Sequence, residues 1–190
     1  MISNVLTLRF IPVNLTDVSI LENVKDFIMS RLNVVVKFSK EITLGELLKF
    51  YDERRDQLDA VKLLLYLEKK ILVNPLLRVL VFVDSDAYAY DLNFIFGIAK
   101  PYWGGIVFLR RLDPSFYGYA YNEKLFIARL IKESVHELGH SLGLAHCRNR
   151  RCVMSFSNNI FEVDNKSPNF CRNCEIVLER MHPGLIRILA

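Results

Sequence analysis

Three histidines and one glutamate stand at positions 136 to 146 in the spacing His-Glu-x-x-His-x-x-Gly-x-x-His. Residues four apart share one face of an α-helix, so the imidazoles of His136 and His140 can reach a single metal ion. Gly143 can adopt the left-handed conformation that ends a helix and lets His146 turn back as a third ligand. Three neutral imidazoles leave a fourth zinc position open for water, and Glu137 is placed as its general base. The pattern predicts a catalytic zinc site that activates water for hydrolysis.

The cysteines of the chain all lie in its last quarter, at a spacing typical of metal ligands. Cys147 and Cys152 are separated by four residues, and Cys171 and Cys174 form a CxxC pair. These pairs predict a closed, structural four-thiolate zinc site, whose binding energy, on the order of 10 kcal/mol, would contribute to folding. Free buried thiols and disulfides are the alternative reading. Four arginines stand among the ligands and either offset the negative charge of such a site or belong to a solvated loop: Arg148, Arg150, Arg151 and Arg172.

The histidine motif needs a helix, and the residues around it have helical periodicity. Apolar residues recur every three or four positions and form a core-facing stripe. This pattern predicts a helix over about residues 122–142. The fourth histidine of the chain, His182, precedes Pro183 and is read as a surface residue rather than a ligand. The stripe consists of Ile127, Ile131, Val135, Leu138 and Leu142.

Segments of strand type and helix type alternate upstream of this helix. Asp17 is read as the cap of a helix that ends near Arg31. Apolar residues at helical spacing, Leu58, Val61 and Leu65 among them, predict a second helix within residues 52–72. This β-α-β-α-β order, with further strands after it, predicts an α/β fold with a twisted, mixed and mainly parallel sheet. The predicted strands cover residues 5–13, 34–38, 79–83, 93–98 and 106–109.

The sequence changes in character after Gly143. Residues 144–190 hold every cysteine, many loop-forming side chains and a last predicted helix near residues 175–181. We therefore divide the chain into an N-terminal α/β subdomain, residues 1–143, and a small zinc-bound C-terminal subdomain, residues 144–190. The second part is too short to build a large apolar core alone, so its zinc site would help to fold it.

Composition narrows the classes of protein that the chain can belong to. Its formal net charge is +4, which gives little support for binding to nucleic acid or to a membrane surface. No apolar run approaches the roughly 18 residues that a transmembrane helix needs. The start of the chain is read as a strand and not as a signal peptide, which favours a cytoplasmic location. The absence of a heptad repeat favours a monomer.

Taken together, the two ligand sets resemble those of the archaemetzincins, a small group within the metzincin metallopeptidases. The family resemblance implies a metzincin-like fold in which the three histidines hold catalytic zinc and Glu137 is the catalytic base. It also implies that the four cysteines hold a second zinc ion and that Met154 lies in a turn beneath the catalytic metal. The resemblance rests on HELGHSLGLAHC at residues 136–147, on residues 152–154 and 170–174, and on residues 93–97 and 155–158.

The same resemblance implies a substrate cleft bounded by an edge strand. We expect that strand at residues 105–109, where a peptide could pair with its free backbone edge. A partner for the oxyanion of the reaction is not evident near Met154. Tyr117, Tyr119 and Tyr121 are candidates only because they are nearby in sequence.

The sequence is compatible with three functions. The first is a zinc-dependent peptidase that acts on peptide or protein substrates, with short peptides or free N-termini as one form of preference. The second is a nucleic-acid-binding zinc module, which the small net charge disfavours and which leaves the intact histidine motif unexplained. The third is a catalytically silent zinc protein of the same fold, because access to the cleft is a tertiary property.

Overall fold

A computed structural model describes residues 5–40 and 42–187, in which strands and helices alternate along the chain. Within these ranges, no helix combines the length and apolarity needed to cross a membrane. The strands are β1 Leu6–Val13, β2 Val34–Phe38, β3 Tyr51–Asp52, β4 Gln57–Asp59, β5 Leu77–Val83, β6 Ala87–Tyr88, β7 Gly97–Lys100 and β8 Gly104–Phe108. The α-helices are α1 Ile20–Arg31, α2 Leu44–Leu47, α3 Ala60–Lys70, α4 Glu123–Ser141, α5 Ile160–Asn165 and α6 Arg172–Met181.

The main sheet has five strands in the order β2-β1-β5-β8-β7. Four of them run parallel, and β7 is antiparallel to β8, with Gly97 opposite Val107. A small second sheet, in the order β3-β4-β6, lies outside it. The predicted α/β fold with a mixed, mainly parallel sheet is therefore confirmed.

The main sheet is covered on both faces, and this explains its apolar strands. All seven residues of β5 are buried, because alternate side chains enter two different apolar clusters. One cluster contains residues of α1 and α4, and the other contains residues of α3. The first cluster also takes in residues from both sides of Gly143, including Leu138, Leu144 and Met154.

Helix α4 carries the histidine motif and packs against β8 and β7. The Oδ1 atom of Asn122 accepts the backbone N–H of Leu125 at 3.0 Å and so caps the start of the helix. The helix ends at Ser141, so the predicted span of residues 122–142 agrees with the structure to within one residue at each end. Its C-terminal half is buried beside the sheet, and this places the motif next to the edge of the sheet.

The predicted edge strand is wrong. Residues 105–109 fall mostly in β8, which is bonded on both sides, by β5 and by β7. The edge of the sheet beside α4 is formed by β7, Gly97–Lys100, instead. The error arises because strand order is set by long-range pairing. An apolar run such as residues 106–109 is typical of an interior strand, which is the position that it takes.

The helix predicted over residues 52–72 begins later and buries a different face. Residues 51–59 form β3, a turn and β4, and α3 starts at Ala60 after the cap Asp59. The buried side chains of α3 include Leu63, Leu64 and Leu67, whereas Leu65 is exposed. This segment has more apolar residues than one helix face can hold, so two different apolar stripes are compatible with its sequence. Packing against the sheet buries the stripe that was not predicted.

Two further boundaries differ from the sequence predictions. Ser19, not Asp17, occupies the N-cap position of α1, and Oδ1 of Asp17 accepts the backbone N–H of Ser19 at 2.8 Å. The strand predicted over residues 93–98 begins only at Gly97. The residues before it are held by single backbone bonds, from the Ile95 N–H to Ala87 O at 2.9 Å and from the Phe108 N–H to Phe96 O at 2.9 Å. Residues 1–4, which precede the first predicted strand at residues 5–13, lie outside the described residues.

Candidate active site and second metal centre

The structure brings the imidazoles of His136, His140 and His146 together at the C-terminal end of α4. One nitrogen from each ring can be chosen so that all three lie within 4.8 Å of one another. The Nε2 atoms of His136 and His140 are 3.1 Å apart. Two ligands of one tetrahedral zinc ion are separated by about 3.3 Å, given Zn–N bonds of about 2.0–2.1 Å. The donor set and its spacing therefore fit a zinc ion.

Backbone carbonyl groups fix the orientation of the first two imidazoles. Nδ1 of His136 lies 2.7 Å from Val153 O, and Nδ1 of His140 lies 2.8 Å from Leu144 O. A carbonyl oxygen can only accept, so each Nδ1 carries the proton and each Nε2 presents a lone pair. Burial lowers the pKa of both imidazoles, most strongly that of His136, which favours the neutral form that binds metal.

The return of His146 depends on the way α4 ends. Gly143 has φ of +99°, a conformation that favours glycine. The Leu144 N–H donates to Gly139 O at 3.0 Å and the Gly143 N–H donates to His140 O at 3.0 Å. These two bonds form a Schellman motif, which reverses the chain after the helix. The side chain of His146 is thereby brought back against the helix that carries the other two imidazoles.

Glu137 lies next to the imidazole cluster and is 3% exposed. Burial raises the pKa of its carboxyl group well above the usual value. The charge of Glu133 acts in the same direction, whereas the charge of Lys166 opposes it. A raised pKa makes the carboxylate more basic, which suits a group that accepts a proton.

Two glycines of the sheet make room for the Glu137 side chain. A Cβ atom built on Gly97 would lie 2.5 Å from Glu137 Oε1, and one on Gly105 would lie 2.8 Å from Glu137 Cβ. Both distances are shorter than non-bonded carbon and oxygen atoms allow. The edge of the sheet therefore approaches α4 this closely only because these two positions lack side chains.

We expect the substitution Gly97→Ala to lower kcat for peptide hydrolysis by roughly 10²-fold, because the added methyl group displaces the Glu137 carboxylate. The metal content should not change, since none of the imidazoles is touched. Steady-state kinetics together with metal analysis checks this result. Gly45→Ala is the matched control, because a Cβ atom at Gly45 would meet nothing within 4 Å. Equal kcat values for the two variants would show that Glu137 does not need the space.

Met154 lies in a fully buried turn that packs against the motif helix. A Cβ atom on Gly139 would overlap the sulfur of Met154, so glycine at this position allows the turn to approach α4. The same turn supplies the Val153 carbonyl that orients His136. Ring contacts complete the support, since the rings of His146 and Phe156 meet edge to face at 5.0 Å between centroids.

The four cysteine sulfurs form a second cluster, in which all lie within 4.8 Å of one another. Sγ of Cys147 is 3.8 Å from Sγ of Cys171, and Sγ of Cys152 is 3.7 Å from Sγ of Cys174. A tetrahedral site with Zn–S bonds of about 2.3 Å has sulfurs about 3.8 Å apart. Disulfide sulfurs would be about 2.05 Å apart, so this geometry fits a zinc ion and does not fit disulfides.

The chain connects the two clusters directly. Cys147 follows His146, and its backbone N–H donates to Met154 O at 2.8 Å. Two of the other cysteines are positioned by α6, because Cys171 is its N-cap residue and Cys174 lies in its first turn. Hydrogen bonds from the Cys174 N–H and neighbouring thiols outweigh burial and lower the pKa of Cys171 to about 7, as suits a thiolate ligand.

Several side chains that the sequence analysis singled out do not line the histidine or cysteine clusters. The four arginines near the cysteines are exposed, and Arg172 is 3.7 Å from Glu175. Tyr117 donates its hydroxyl group to Arg111 O at 3.0 Å and, like Tyr119 and Tyr121, does not line the cleft beside the histidines. His182 is partly buried and belongs to neither cluster of possible metal ligands, and its Nε2 is 2.9 Å from Leu142 O.

The histidine cluster opens into a cleft of about 430 Å³. Its walls are formed by α4, by the segment from Ala89 to Ala99 that ends in the edge strand β7, and by Phe156, Ser157 and Asn158. Glu133 and Lys166 also line it, and sequence reasoning missed both. Lys166 is far from the motif in sequence, and nothing in its surroundings predicted that it would reach the cleft. Glu133 could have been found, because it stands four residues before Glu137 and so shares its helix face.

Comparisons with known proteins agree with this geometry. Residues 19–180 match peptidase family M54. An archaemetzincin of Pyrococcus furiosus is 40% identical over 168 residues, which cover 87% of each chain. The crystal structure of an archaemetzincin from Methanopyrus kandleri superimposes with a TM-score of 0.80 at 34% identity and covers 95% of this chain and 97% of that one. A zinc-dependent peptidase from Methanocorpusculum labreanum superimposes with a TM-score of 0.76 at 28% identity, covering 90% and 99%.

Proposed function

The chain belongs to peptidase family M54, the archaemetzincin family of zinc metallopeptidases, and from this premise we propose the residues with which it cleaves peptide bonds. His136, His140 and His146 hold the catalytic zinc ion, and Glu137 is the general base. The observation that carries this proposal is the convergence of three imidazoles beside a buried carboxylate, in a cleft bounded by a free strand edge.

Zinc, when bound at the histidines, supplies a Lewis acid that polarises the scissile carbonyl group and makes water a stronger nucleophile. The chain supplies the proton transfers and the orientation. Glu137 accepts the proton of the attacking water at its carboxylate and passes it to the nitrogen of the leaving amine. The Val153 and Leu144 carbonyls hold His136 and His140 in the tautomer that this arrangement requires.

We place the substrate along β7, which replaces the strand at residues 105–109 that the sequence suggested. The outer edge of β7 carries no further strand among the described residues, and Gly97, Ile98 and Ala99 line the cleft. A peptide that pairs with this edge gains backbone hydrogen bonds that do not depend on its sequence. Such pairing would hold the scissile bond between the edge strand and Glu137.

The cysteine cluster is proposed to hold a second zinc ion in a closed, structural site. This zinc would fix the small C-terminal subdomain, residues 144–190, against the α/β subdomain, residues 1–143, and with it the position of His146. We further propose that the protein is a monomer and binds neither nucleic acid nor membranes. Family membership favours a peptidase over a nucleic-acid-binding zinc module and over a catalytically silent zinc protein.

Metal analysis combined with hydrolysis of a peptide library tests these assignments. We expect two zinc ions per chain, hydrolysis of peptides, and no salt-sensitive binding to nucleic acid. A chelator should remove the zinc at the histidines first and abolish hydrolysis while the circular dichroism spectrum stays folded, because His146 is exposed and Cys152 and Cys174 are buried. Hydrolysis that survives loss of that zinc would contradict the proposal, and one zinc ion per chain would remove one of the two sites.

A further inference from the structure

A buried ion pair lines the cleft beside the proposed general base. Nζ of Lys166 is 2.8 Å from Oε1 of Glu133, and the two side chains are only 1% and 4% exposed. Glu133 lies on α4, one helical turn before Glu137, and Lys166 follows the C-terminus of α5. The ammonium group is also 3.5 Å from Ser155 O. Neither charge takes part in the proton transfers proposed above, so the reaction itself does not explain the pair.

The same wall has polar atoms that lack hydrogen-bond partners. Within residues 5–40 and 42–187, the buried side-chain atoms without a hydrogen bond are Oε1 of Glu133 and Oγ of Ser157, and both residues line the cleft. Oε1 has the Lys166 ammonium group as its ion-pair partner at 2.8 Å, so this atom lacks a hydrogen bond but not a counter-charge. Buried polar atoms are usually hydrogen-bonded because an unpaired one costs free energy. Water in the cleft can supply these bonds, and so can a polar group of a substrate, which this wall would then recognise.

The position of the pair indicates which part of a substrate would reach it. On the proposed function, Glu137 returns a proton to the leaving amine, so the residue that carries this amine lies nearest to Glu137. Glu133 is one turn, about 6 Å, further along the same helix face. A side chain of that length extends from the first residue after the scissile bond to the pair.

We propose that this wall is a specificity site for a substrate with a carboxamide side chain, asparagine or glutamine, at the first residue after the scissile bond. The amide NH₂ group donates to Glu133 Oε1, and the amide oxygen accepts from the Lys166 ammonium group. A carboxylate could accept from Lys166 but would be repelled by Glu133, and an ammonium group could donate to Glu133 but would be repelled by Lys166, so neither satisfies both partners. An apolar side chain would leave Glu133 and Lys166 paired with each other but would supply no hydrogen bond to Oε1 of Glu133.

The test uses peptides that differ only at this residue, with Gln, Met, Glu or Lys. Methionine has the length of glutamine without its polar atoms, so the ratio of Gln to Met isolates the hydrogen bonds. We expect kcat/KM to be at least about tenfold higher for Gln than for Met, Glu or Lys. A ratio of Gln to Met near one would overturn the proposal.

A double variant, Glu133→Leu with Lys166→Met, tests whether the pair is responsible. Replacing both partners by apolar residues of similar volume avoids a lone buried charge, which either single substitution would leave. We expect the variant to bind zinc normally and to prefer Met over Gln. Glu123→Leu with Lys124→Met, at exposed positions of the same helix, is the matched control and should keep the original preference. A preference that is unchanged in the Glu133 and Lys166 variant would also overturn the proposal.

Binding measurements separate this proposal from the peptidase assignment. The dissociation constants of the Gln and Met peptides can be measured by calorimetry on the zinc-loaded Glu137→Gln protein, in which turnover does not interfere. If the unsubstituted protein cleaves none of the peptides, the proposed catalytic site is wrong. The ratio of dissociation constants still decides the specificity site: tighter binding of Gln supports it, and equal binding contradicts it.

Discussion

Replacing Glu137 by glutamine is expected to lower kcat/KM for peptide hydrolysis by roughly 10²–10⁴-fold, because it removes the group that accepts the proton of the attacking water. The side chain keeps its size, so it still fits between Gly97 and Gly105. Burial already disfavours the charged form of this carboxyl group, so the neutral amide should not destabilise the fold. Both zinc ions should remain bound, since Glu137 is not a ligand. Steady-state kinetics with one cleaved peptide measures the loss of activity, and metal analysis measures whether zinc is retained.

Glu123→Gln is the matched control for this experiment. It makes the same chemical change on the same helix, but at an exposed position in the first turn. Its kcat/KM should stay within about twofold of the unsubstituted protein, since exposed substitutions rarely change stability by more than about 0.5 kcal/mol. Equal activity of the Glu137 variant and this control would remove Glu137 from its proposed role. Loss of zinc in the Glu137 variant would instead indicate that it acts through the metal site.

Replacing Cys174 by serine is expected to reduce the zinc content from two ions per chain to one and to lower Tm by at least about 10 °C. The thiol is buried in the sulfur cluster and lies in the first turn of α6, so its loss would open the proposed zinc site, whose metal would contribute directly to folding. A second effect should follow at the histidines, because Cys147 adjoins His146 and donates to Met154 O. We expect zinc affinity there to fall by about 10–100-fold, the usual cost of losing a supporting interaction. Thermal unfolding and competition with a zinc chelator measure the two effects.

Arg172→Ala serves as the control for the cysteine variant. Arg172 lies between two of the ligands in sequence, yet its side chain is exposed and its nearest acidic partner is Glu175 at 3.7 Å. Both zinc ions and the Tm should be retained in this variant. A cysteine variant that matches this control in zinc content would mean that the thiols do not bind metal. A large loss of zinc from the arginine variant would indicate that its charge offsets that of the thiolates.

The sequence was sufficient to predict which side chains converge, because the geometry that unites them is mostly local. His136 and His140 are neighbours on any α-helix that contains them, and Gly143 ends that helix through bonds within five residues. The apolar stripe around the motif also predicted α4 to within one residue at each end. The cysteine spacing predicted a cluster, although the separation between its two pairs gave no information on how they meet.

Prediction was poorer wherever the outcome depended on which surface another element covers. The segment within residues 52–72 offered two apolar stripes, and only its packing against the sheet decided that Leu63, Leu64 and Leu67 are buried. The edge strand was mispredicted for the same reason, because the sequence of a single strand does not specify which strands will lie beside it in a parallel sheet. The hydrogen bond of His182 to Leu142 O was not predicted for the same reason, since it joins residues 40 positions apart.

By itself, the sequence predicted the histidine cluster, the two cysteine pairs and the helix that presents the histidines, because each depends on residues close together in the chain. Only the tertiary structure decided that β7 borders the cleft, that Gly97 and Gly105 leave room for Glu137, and that Lys166 meets Glu133. These features depend on contacts between residues 32 to 40 positions apart. Such contacts require the tertiary packing of the sheet and of the C-terminal segment against α4, and local propensities do not specify that packing.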